Sequence, residues 1–396
     1  MFTDLIERLR RHEDLTVEQA SAAMAAIMRG EAAPAQIAGF LIGLAMKGER
    51  PSELVGLATT MREHAVPLPG ARGPVFDTCG TGGDRSGSFN ISTASALVVA
   101  ACGVRVAKHG NRSVSSQCGS ADVLQALGVH VQMSPATAGR CLDEAGIAFL
   151  FAPTFHPAMR HAAQARRDLG VRTAFNLLGP LTNPARPVRQ VVGVPRPELT
   201  ELIARTLLAL GAERAWVVHG ADGLDELSTT GHTKVSEVRA GAVHTFYVHP
   251  ADYGLPKAAA GALTGGDSAV NARIVNTVLA GEPGAPRDVV LLNAAAGLMM
   301  AGMTDTVQAG LTRAAEAIDS GAARATLDRL RAVSLVEGAT AGPPARPTCW
   351  PRSSRLPALA WRTDGRASRW RRSRPGRRRA RLVAVPSPQR CSGPAG

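Results

Sequence analysis

The chain has 396 residues, 45% hydrophobic and 19% charged, an ordinary globular mixture with enough apolar material for a sizeable core and length for two or three domains. Its formal charge of +13 is not spread along the chain: residues 341–396 hold 14 of the 45 basic residues and one of the 32 acidic ones, so residues 1–340 balance at 31 of each. A basic nucleic-acid-binding body is therefore excluded as a default, and the longest apolar stretch, Ala94 to Val104, is about half the ~20 residues of a membrane-spanning helix.

The start, MFTDLIERLRRHEDL, lacks a signal-peptide pattern. From Thr3 to about His64 the sequence predicts four short helices, separated near His12 to Leu15, at Gly30 to Ala33 and at Gly48 to Arg50. In the third, Ile37, Phe40, Leu41 and Leu44 fall on one helical face, and Thr16 followed by Gln19 fits a capping box opening the second. A small helical domain over residues 1–66 is expected, followed by a linker at Pro67, Pro69, Gly70, Gly73 and Pro74.

The pattern then changes to short β-branched runs alternating with longer helical ones. Val75–Asp77 reads as a strand end, Ser92–Ala101 as a helix, Val104–Ala107 as a strand and Ala121–Leu127 as a helix. Strands at Ile147–Phe151, Gln190–Val194 and Ala215–Val218 alternate with helices at His156–Leu169 and Glu198–Leu210; Thr233–Val238 and Val243–Val248 suit an antiparallel hairpin around Ala240-Gly241. Helices at Ala269–Leu279, Asp288–Ala301, Thr306–Ile318 and Arg324–Val333 complete residues 74–335. The expected class is α/β: a small N-terminal helical domain plus a larger α/β domain whose mostly parallel sheet is flanked by helices.

After Gly342 the texture becomes PPARPTCWPRSSR and RWRRSRPGRRRAR, without hydrophobic periodicity, so residues 336–396 are expected to be disordered. Two readings stay open, a functional basic tail and a GC-rich gene read out of frame; the composition fits the second better. Cys79, Cys102, Cys118, Cys141, Cys349 and Cys391 form no C-x-x-C pair and no zinc-like spacing, consistent with the reducing cytoplasm.

Four segments carry residues suited to chemistry. Between the first strand and its helix lies Asp77-Thr-Cys-Gly-Thr-Gly-Gly-Asp84, then Ser86-Gly-Ser-Phe-Asn-Ile-Ser-Thr93. Gly80, Gly82 and Gly83 permit close backbone approach, and Asn90, Ser92 and Thr93 put polar side chains where a helix begins, which suits a phosphate or pyrophosphate. A glycine-rich turn alone is a weak signal, and this is neither G-x-G-x-x-G nor Walker A. The second segment, Lys108-His-Gly-Asn-Arg-Ser-Val-Ser-Ser116 with Cys118-Gly-Ser120, follows the next strand, so both loops converge on one crevice. Lys108 and Arg112 bring charge, and Ser115, Ser116 and Ser120 bring hydroxyls; singly, Lys108 reads equally well as a solvated loop charge and His109 as a packed loop histidine. Third, adjacent Asp225 and Glu226 in HGADGLDE suit Mg²⁺ shared with a substrate phosphate, or simply a solvated acidic helix start. Fourth, an arginine of Ala165-Arg-Arg-Asp168 could grip a carboxylate beside the Gly179-Pro180 turn, although helical Arg-Arg pairs are usually solvated faces.

As a set, DTCGTGGD, FNIST, KHGNRSVSS, CGSADVLQALG, RTAFNLLGPLTNP and HGADGLDELS resemble the anthranilate phosphoribosyltransferase family of tryptophan biosynthesis, over roughly residues 3 to 335. The resemblance implies transfer of phosphoribosyl from phosphoribosyl pyrophosphate to the amine of anthranilate, with Mg²⁺, in a cytoplasmic homodimer. It implies a donor site of Gly80, Gly83, Asp84, Ser88, Asn90, Ile91, Ser92, Thr93, Lys108, Ser115, Ser116 and Ser120. The implied anthranilate site is Gly80, His109, Asn111, Arg166, Gly179 and Pro180, and the implied magnesium site is Ser92, Asp225 and Glu226. No residue stands out as a catalytic general base, and an arylamine needs none. One departure is Arg85-Ser86-Gly87-Ser88, where family members often carry Gly after the Asp and Thr before the Phe. Two alternatives are weighed against this reading: a nucleic-acid-binding relative of the fold, which a neutral body disfavours, and a pyrimidine nucleoside phosphorylase, which should lack the KHGNRSVSS and RTAFNLLGPLTNP pairing.

Overall fold

Residues 2–63 fold into α1 (Phe2–Arg10), α2 (Val17–Met28), α3 (Pro34–Lys47) and α4 (Pro51–Glu63) in a computed structural model that describes residues 1–70, 73–113 and 117–336. The Thr16–Gln19 box forms as a reciprocal pair: the Gln19 N–H donates to Thr16 Oγ1 at 3.2 Å and the Thr16 N–H to Gln19 Oε1 at 3.0 Å. Pro34 and Pro51 open α3 and α4, where a missing N–H costs nothing. Ile37, Phe40, Leu41 and Leu44 are wholly buried, and Phe40 meets Phe2 edge-to-face at 5.9 Å.

The chain continues through β1 (Phe76–Gly80), α5 (Ile91–Ala101), β2 (Val106–Gly110), α6 (Ser120–Ala126), α7 (Pro135–Glu144), β3 (Ile147–Phe151), α8 (Ala152–Phe155), α9 (Arg160–Leu169) and α10 (Ala174–Leu177). It closes with β4 (Arg189–Gly193), α11 (Leu199–Ala209), β5 (Arg214–Gly220), β6 (Thr233–Arg239), β7 (Ala242–Val248), α12 (Ser268–Leu279), α13 (Ala285–Ala301), α14 (Val307–Asp319) and α15 (Ala322–Leu335).

The seven strands order as β3-β2-β1-β4-β5-β6-β7; every neighbouring pair from β3 to β5 is parallel, and β6 and β7 add an antiparallel hairpin at one edge. From β1 the chain steps outward to β2 and β3, then returns to place β4 on the other side of β1. The direction of winding therefore reverses between β1 and β4, and the carboxyl ends of the strands there border the crevice where open α/β sheets bind ligands.

Alternation along the strands sorts the two faces. Val191, Trp216, Val218 and Val235 pack into one core with α5, α12, α13, α14 and α15. Val192, Val194, Ala215, Val217 and Val238 join the other, which also holds Leu5, Ile37, Phe40, Leu44 and Leu57 from the N-terminal helices and Ala162, Phe175, Leu178 and Leu181 from the segment after β3. The N-terminal helices thus share a core with one face of the sheet. Arg62 at the end of α4 reinforces the junction, donating from Nε to the Leu181 carbonyl at 2.6 Å.

Three local expectations need correction. The second strand begins at Val106 rather than Val104 and runs through Gly110, so Lys108 and His109 lie on the strand and not on the loop after it. The helix expected over His156–Leu169 is broken: His156 lies between α8 and a 3₁₀ turn at Pro157–Met159, and α9 begins at Arg160. A helix absent from the sequence reading, α7, is opened by Ser134, whose hydroxyl accepts the Thr137 N–H at 3.1 Å. Ser115, Ser116 and the basic tail beyond residue 336 lie outside the described residues.

Candidate active site

β1 ends in the glycine loop and β2 in the Lys108–Asn111 run, and two cavities open against these strand ends. The larger, about 620 Å³, is lined by residues 79–93 and 108–113, Ser120, Asp225 and Glu226. The smaller, about 450 Å³, is lined by His156, Met159, Arg166, Phe175, Gly179 and Pro180, with Met61 contributed by α4. Cys79, Gly80, His109, Gly110 and Asn111 line both. Two ligands seated in the two cavities would meet at the ends of β1 and β2.

The larger cavity is built mainly from backbone and small side chains. Gly82 and Gly83 adopt φ of +65° and +83°, a region that glycine enters freely, which lets the loop turn back along the cavity it lines. Asp225 Oδ2 accepts the Gly82 N–H at 2.9 Å, and Glu226 Oε1 accepts the Ser92 N–H at 3.1 Å in the first turn of α5. Lys108, only 2% exposed, donates to the Thr78 carbonyl at 2.6 Å and to Ser92 Oγ at 3.3 Å. Asn90 is held on both sides: its Nδ2 donates to the Cys118 carbonyl at 3.2 Å, and its Oδ1 accepts Asn271 Nδ2 at 3.0 Å.

Asp84 accepts the Ser86 hydroxyl at 2.5 Å, and Ser86 in turn bonds Ser88, whose backbone bridges to Thr264. Ile91 lines the cavity with its N–H committed to the Phe89 carbonyl, and Thr93 is buried beside it with an unpartnered hydroxyl. The Ser120 hydroxyl donates to the Asn111 carbonyl at 3.3 Å. Arg112 lines the cavity with its guanidinium bonded to Asp122 at 2.8 Å and Gln125 at 2.7 Å.

The electrostatics of the carboxylates point to a cation. Burial pushes both Asp225 and Glu226 well above the usual carboxylate range, helped at Asp225 by the charge of Asp84 and at Glu226 by that of Asp225. Among the described residues neither has a lysine or arginine within ion-pair distance, and no three His, Cys, Asp or Glu side chains close a protein-only cage. Two hard carboxylates beside the Ser92 hydroxyl fit magnesium, which keeps waters and shares substrate oxygens rather than demanding a full set of protein ligands.

The smaller cavity is apolar and histidine-lined. The rings of His109 and His156 lie 5.2 Å apart, and the Nε2 atoms of both are buried without a partner. His109 Nδ1 faces the Gly179 carbonyl at 3.1 Å, a bond that a neutral imidazole makes by donating. Burial pushes His109 down to about 4 and His156 down to about 3, the latter also under the influence of His109, so both rings are neutral at pH 7. Arg166 reaches the cavity with its guanidinium 5.8 Å from the Phe175 ring centroid and no ion pair among the described residues. Arg167, next to it, instead bonds Gln164 on the outer face of α9 at 2.6 Å. The Arg-Arg pair is therefore divided, one residue in the cavity and one on the solvated face.

Sequence reasoning missed His156, Met61, Arg172, Asn176 and Asn271. It also missed the part that Asp77 and Asn183 play beneath the site: Asn183 Nδ2 donates to Asp77 Oδ2 at 2.8 Å and to the Ala107 carbonyl at 2.7 Å, tying the Gly179–Asn183 turn to β1 and β2. The available signal was an acidic residue, Asp77, directly after the apolar Val75-Phe76 pair at a strand end.

Comparison with known proteins gives a consistent result. The helical bundle domain of a glycosyl transferase family matches residues 3–65, and the a/b domain of the glycosyl transferase family matches residues 72–324. The chain is 54% identical over 327 residues to the anthranilate phosphoribosyltransferase of Symbiobacterium thermophilum, covering 83% of this chain and 96% of that one. It is 54% identical over 315 residues to anthranilate phosphoribosyltransferase 2 of Streptomyces coelicolor, covering 80% and 94%. The crystal structure of anthranilate phosphoribosyltransferase (TrpD) from Thermus thermophilus superposes with a TM-score of 0.79 at 46% identity, over 84% of this chain and 99% of that one. The Saccharomyces cerevisiae anthranilate phosphoribosyltransferase in complex with PRPP and Mg does so with 0.77 at 26% identity, over 84% and 97%.

Proposed function

The chain belongs to the anthranilate phosphoribosyltransferases, and we propose that its two cavities divide the reaction, the larger holding phosphoribosyl pyrophosphate and the smaller holding anthranilate. The enzyme transfers the phosphoribosyl group to the anthranilate amine, releases pyrophosphate and requires Mg²⁺. The observation that carries the division is the shared wall, because Gly80, His109, Gly110 and Asn111 line both cavities and mark where amine and ribose C1 would meet.

In this reading Gly80, Gly83, Asp84, Ser88, Asn90, Ile91, Ser92, Thr93, Lys108 and Ser120 surround the donor, as would Ser115 and Ser116 outside the described residues. Ser92, Asp225 and Glu226 would hold the metal. When bound, Mg²⁺ supplies positive charge to the departing pyrophosphate. The chain's own contribution is preorganised: the Ser92 and Thr93 hydroxyls in the first turn of α5 would meet the charge that grows on the leaving group, and Lys108 is already locked in place by Thr78 and Ser92.

On the acceptor side Arg166 would pair with the anthranilate carboxylate, two-pronged, while the Gly179–Pro180 turn and Phe175 flank the ring. Asn111 and the Gly80 backbone lie where the amine would point. Neutral His109 and His156 keep positive charge away from the arylamine nitrogen and present acceptor nitrogens instead. Orientation is the main task, since an arylamine is already neutral and nucleophilic at pH 7.

The proposed division is a helical domain over residues 1–66 and a donor-binding domain over 74–335, with the segment near 160–185 packing on the helices and their junction forming the acceptor cavity. A homodimer through the helical domain is proposed in addition: Met46 on α3 is 77% exposed, and a second copy of the chain would cover it. No described helix is long and apolar enough to cross a membrane, and a cytoplasmic site of action fits that. Loss of anthranilate fluorescence on adding phosphoribosyl pyrophosphate and Mg²⁺, compared between the full chain and one truncated after Leu335, tests the function. Magnesium-dependent loss in both is expected; no loss in either, with both folded, would overturn the reading.

A further inference from the structure

Arg172 stands in the turn between α9 and α10, the segment that supplies Arg166 and Phe175 to the acceptor cavity, yet it lines the donor cavity with Asn176. Its Nη2 donates to the Thr81 carbonyl at 3.1 Å. The guanidinium lies across the tip of the glycine loop so closely that a Cβ at Gly83 would overlap it, with Cζ only 2.5 Å away. The same loop is held one residue further on by Asp225, through the Gly82 N–H. Arg172 and Asp225 therefore grip one peptide group from opposite sides, the first at the Thr81 carbonyl and the second at the Gly82 N–H.

Of the other cations lining this cavity, Lys108 is committed to Thr78 and Ser92 and Arg112 to Asp122 and Gln125, which leaves Arg85, in the glycine loop itself, beside Arg172. Arg172 has a single neutral acceptor and no carboxylate within ion-pair distance among the described residues, although it feels the charges of Asp225 and Asp84. A guanidinium has five N–H donors, and most of these are free to meet an anion.

We propose that Arg172 is a donor-binding residue that clamps the glycine loop and presents its free N–H groups to the pyrophosphate of the bound donor. This rests on the donor lying in the larger cavity. Because Arg172 and Arg166 sit at the two ends of one short segment, the clamp also joins the loop that holds the donor to the wall that orients the acceptor.

The test compares wild type, Arg172→Ala, Arg172→Lys and Arg172→Gln in steady-state kinetics, each substrate varied against saturating partner, with inorganic pyrophosphate as the competing probe. Arg172→Ala is expected to raise the KM for phosphoribosyl pyrophosphate and the inhibition constant of pyrophosphate by about tenfold or more, the worth of one charge-assisted hydrogen bond, with the anthranilate KM changed by less than about twofold. Arg172→Lys should recover part of the loss and Arg172→Gln, which keeps a donor for Thr81 without charge, should not; these two decide the matter if the alanine variant does not fold. Unchanged pyrophosphate inhibition in all three variants, or an equal loss for both substrates, would overturn the role. A wild type unable to use phosphoribosyl pyrophosphate would instead sink the assignment of the larger cavity.

Discussion

The two cavities share a wall and are built on opposite plans. The proposed donor cavity takes its main wall from one consecutive run, residues 79–93, a glycine loop and a helix start, met by residues 108–113, Arg172, Asp225 and Glu226. The proposed acceptor cavity is lined by residues of α4, β2, α9 and the turns around His156 and Gly179, and it is mostly apolar. A ligand with many oxygens can be held by backbone that any neighbour leaves in place, whereas a flat aromatic acid needs walls brought from distant parts of the chain. Damage should differ accordingly, chemistry suffering most on the donor side and selectivity on the acceptor side.

The hardest test of that contrast is the carboxylate pair. Asp225→Asn combined with Glu226→Gln should lower kcat by about a thousandfold or more, since it strips the counter-charge for the leaving group from a site that depends on preorganised electrostatics. A magnesium titration of turnover reads it, and an unchanged magnesium dependence would remove both residues from the metal site. Because both carboxyls are pushed up in the free enzyme, protons compete with the metal there. Magnesium with donor should accordingly raise the unfolding midpoint more at pH 8 than at pH 6.

On the acceptor side, Arg166→Ala should raise the anthranilate KM by about ten- to a hundredfold, the range for losing one or two hydrogen bonds to a charged group, and leave the donor KM within about twofold. Equal effects on both substrates would erase the separation between the cavities.

The buried histidines supply a smaller effect with a defined sign. Their folded pKa values, about 4 and about 3, lie below the unfolded value of 6.5, so below pH 6.5 the unfolded chain binds more protons. Their stabilising contribution is complete above pH 6.5 and is lost as the pH falls towards 4, at up to about 1.4 kcal/mol per pH unit for each ring. Urea unfolding of wild type and of a His109→Gln, His156→Gln double variant checks this: the slope between pH 6.5 and 4.5 should be shallower in the variant. Equal slopes would mean that the rings are charged, or solvated, in the folded protein.

The same contrast explains what the sequence reveals. The larger cavity is legible because its main wall is local: DTCGTGGD and FNIST are nearly consecutive, and the strand–helix alternation around them places their loops at the carboxyl ends of inner strands. The four N-terminal helices are legible for the same reason, through the Thr16–Gln19 box and the Ile37 face. The acceptor side is half legible: Arg166 and Gly179-Pro180 stand out through family resemblance, whereas His156 reads as an ordinary helix start and Met61 as a bundle residue. Only tertiary packing brings them to the cavity that His109 lines. Lys108 and His109 read as loop residues because a lysine ordinarily ends a strand; here the Thr78 carbonyl and Ser92 supply the partners that let it be buried. The signal for α7 is present in the sequence, since Ser134-Pro135 is a cap followed by a first-turn proline.

The smallest effect concerns the one place where the donor side departs from its own plan. The loop is otherwise glycine wherever the backbone turns left-handed, at Gly82, Gly83 and Gly87, yet Arg85 adopts φ +57° with a Cβ in place. That conformation costs a non-glycine residue about 1–2 kcal/mol, while glycine's freer unfolded chain returns roughly half to one of those. Arg85→Gly should therefore stabilise the protein by at most about 1.5 kcal/mol, visible as a small rise in the urea midpoint at unchanged m-value. A fall in the midpoint would show that the Arg85 side chain holds the loop more strongly than its backbone strains it. Either way the sign separates the two plans: a loop that recognises its ligand through backbone should gain from a residue that gives the backbone its freedom.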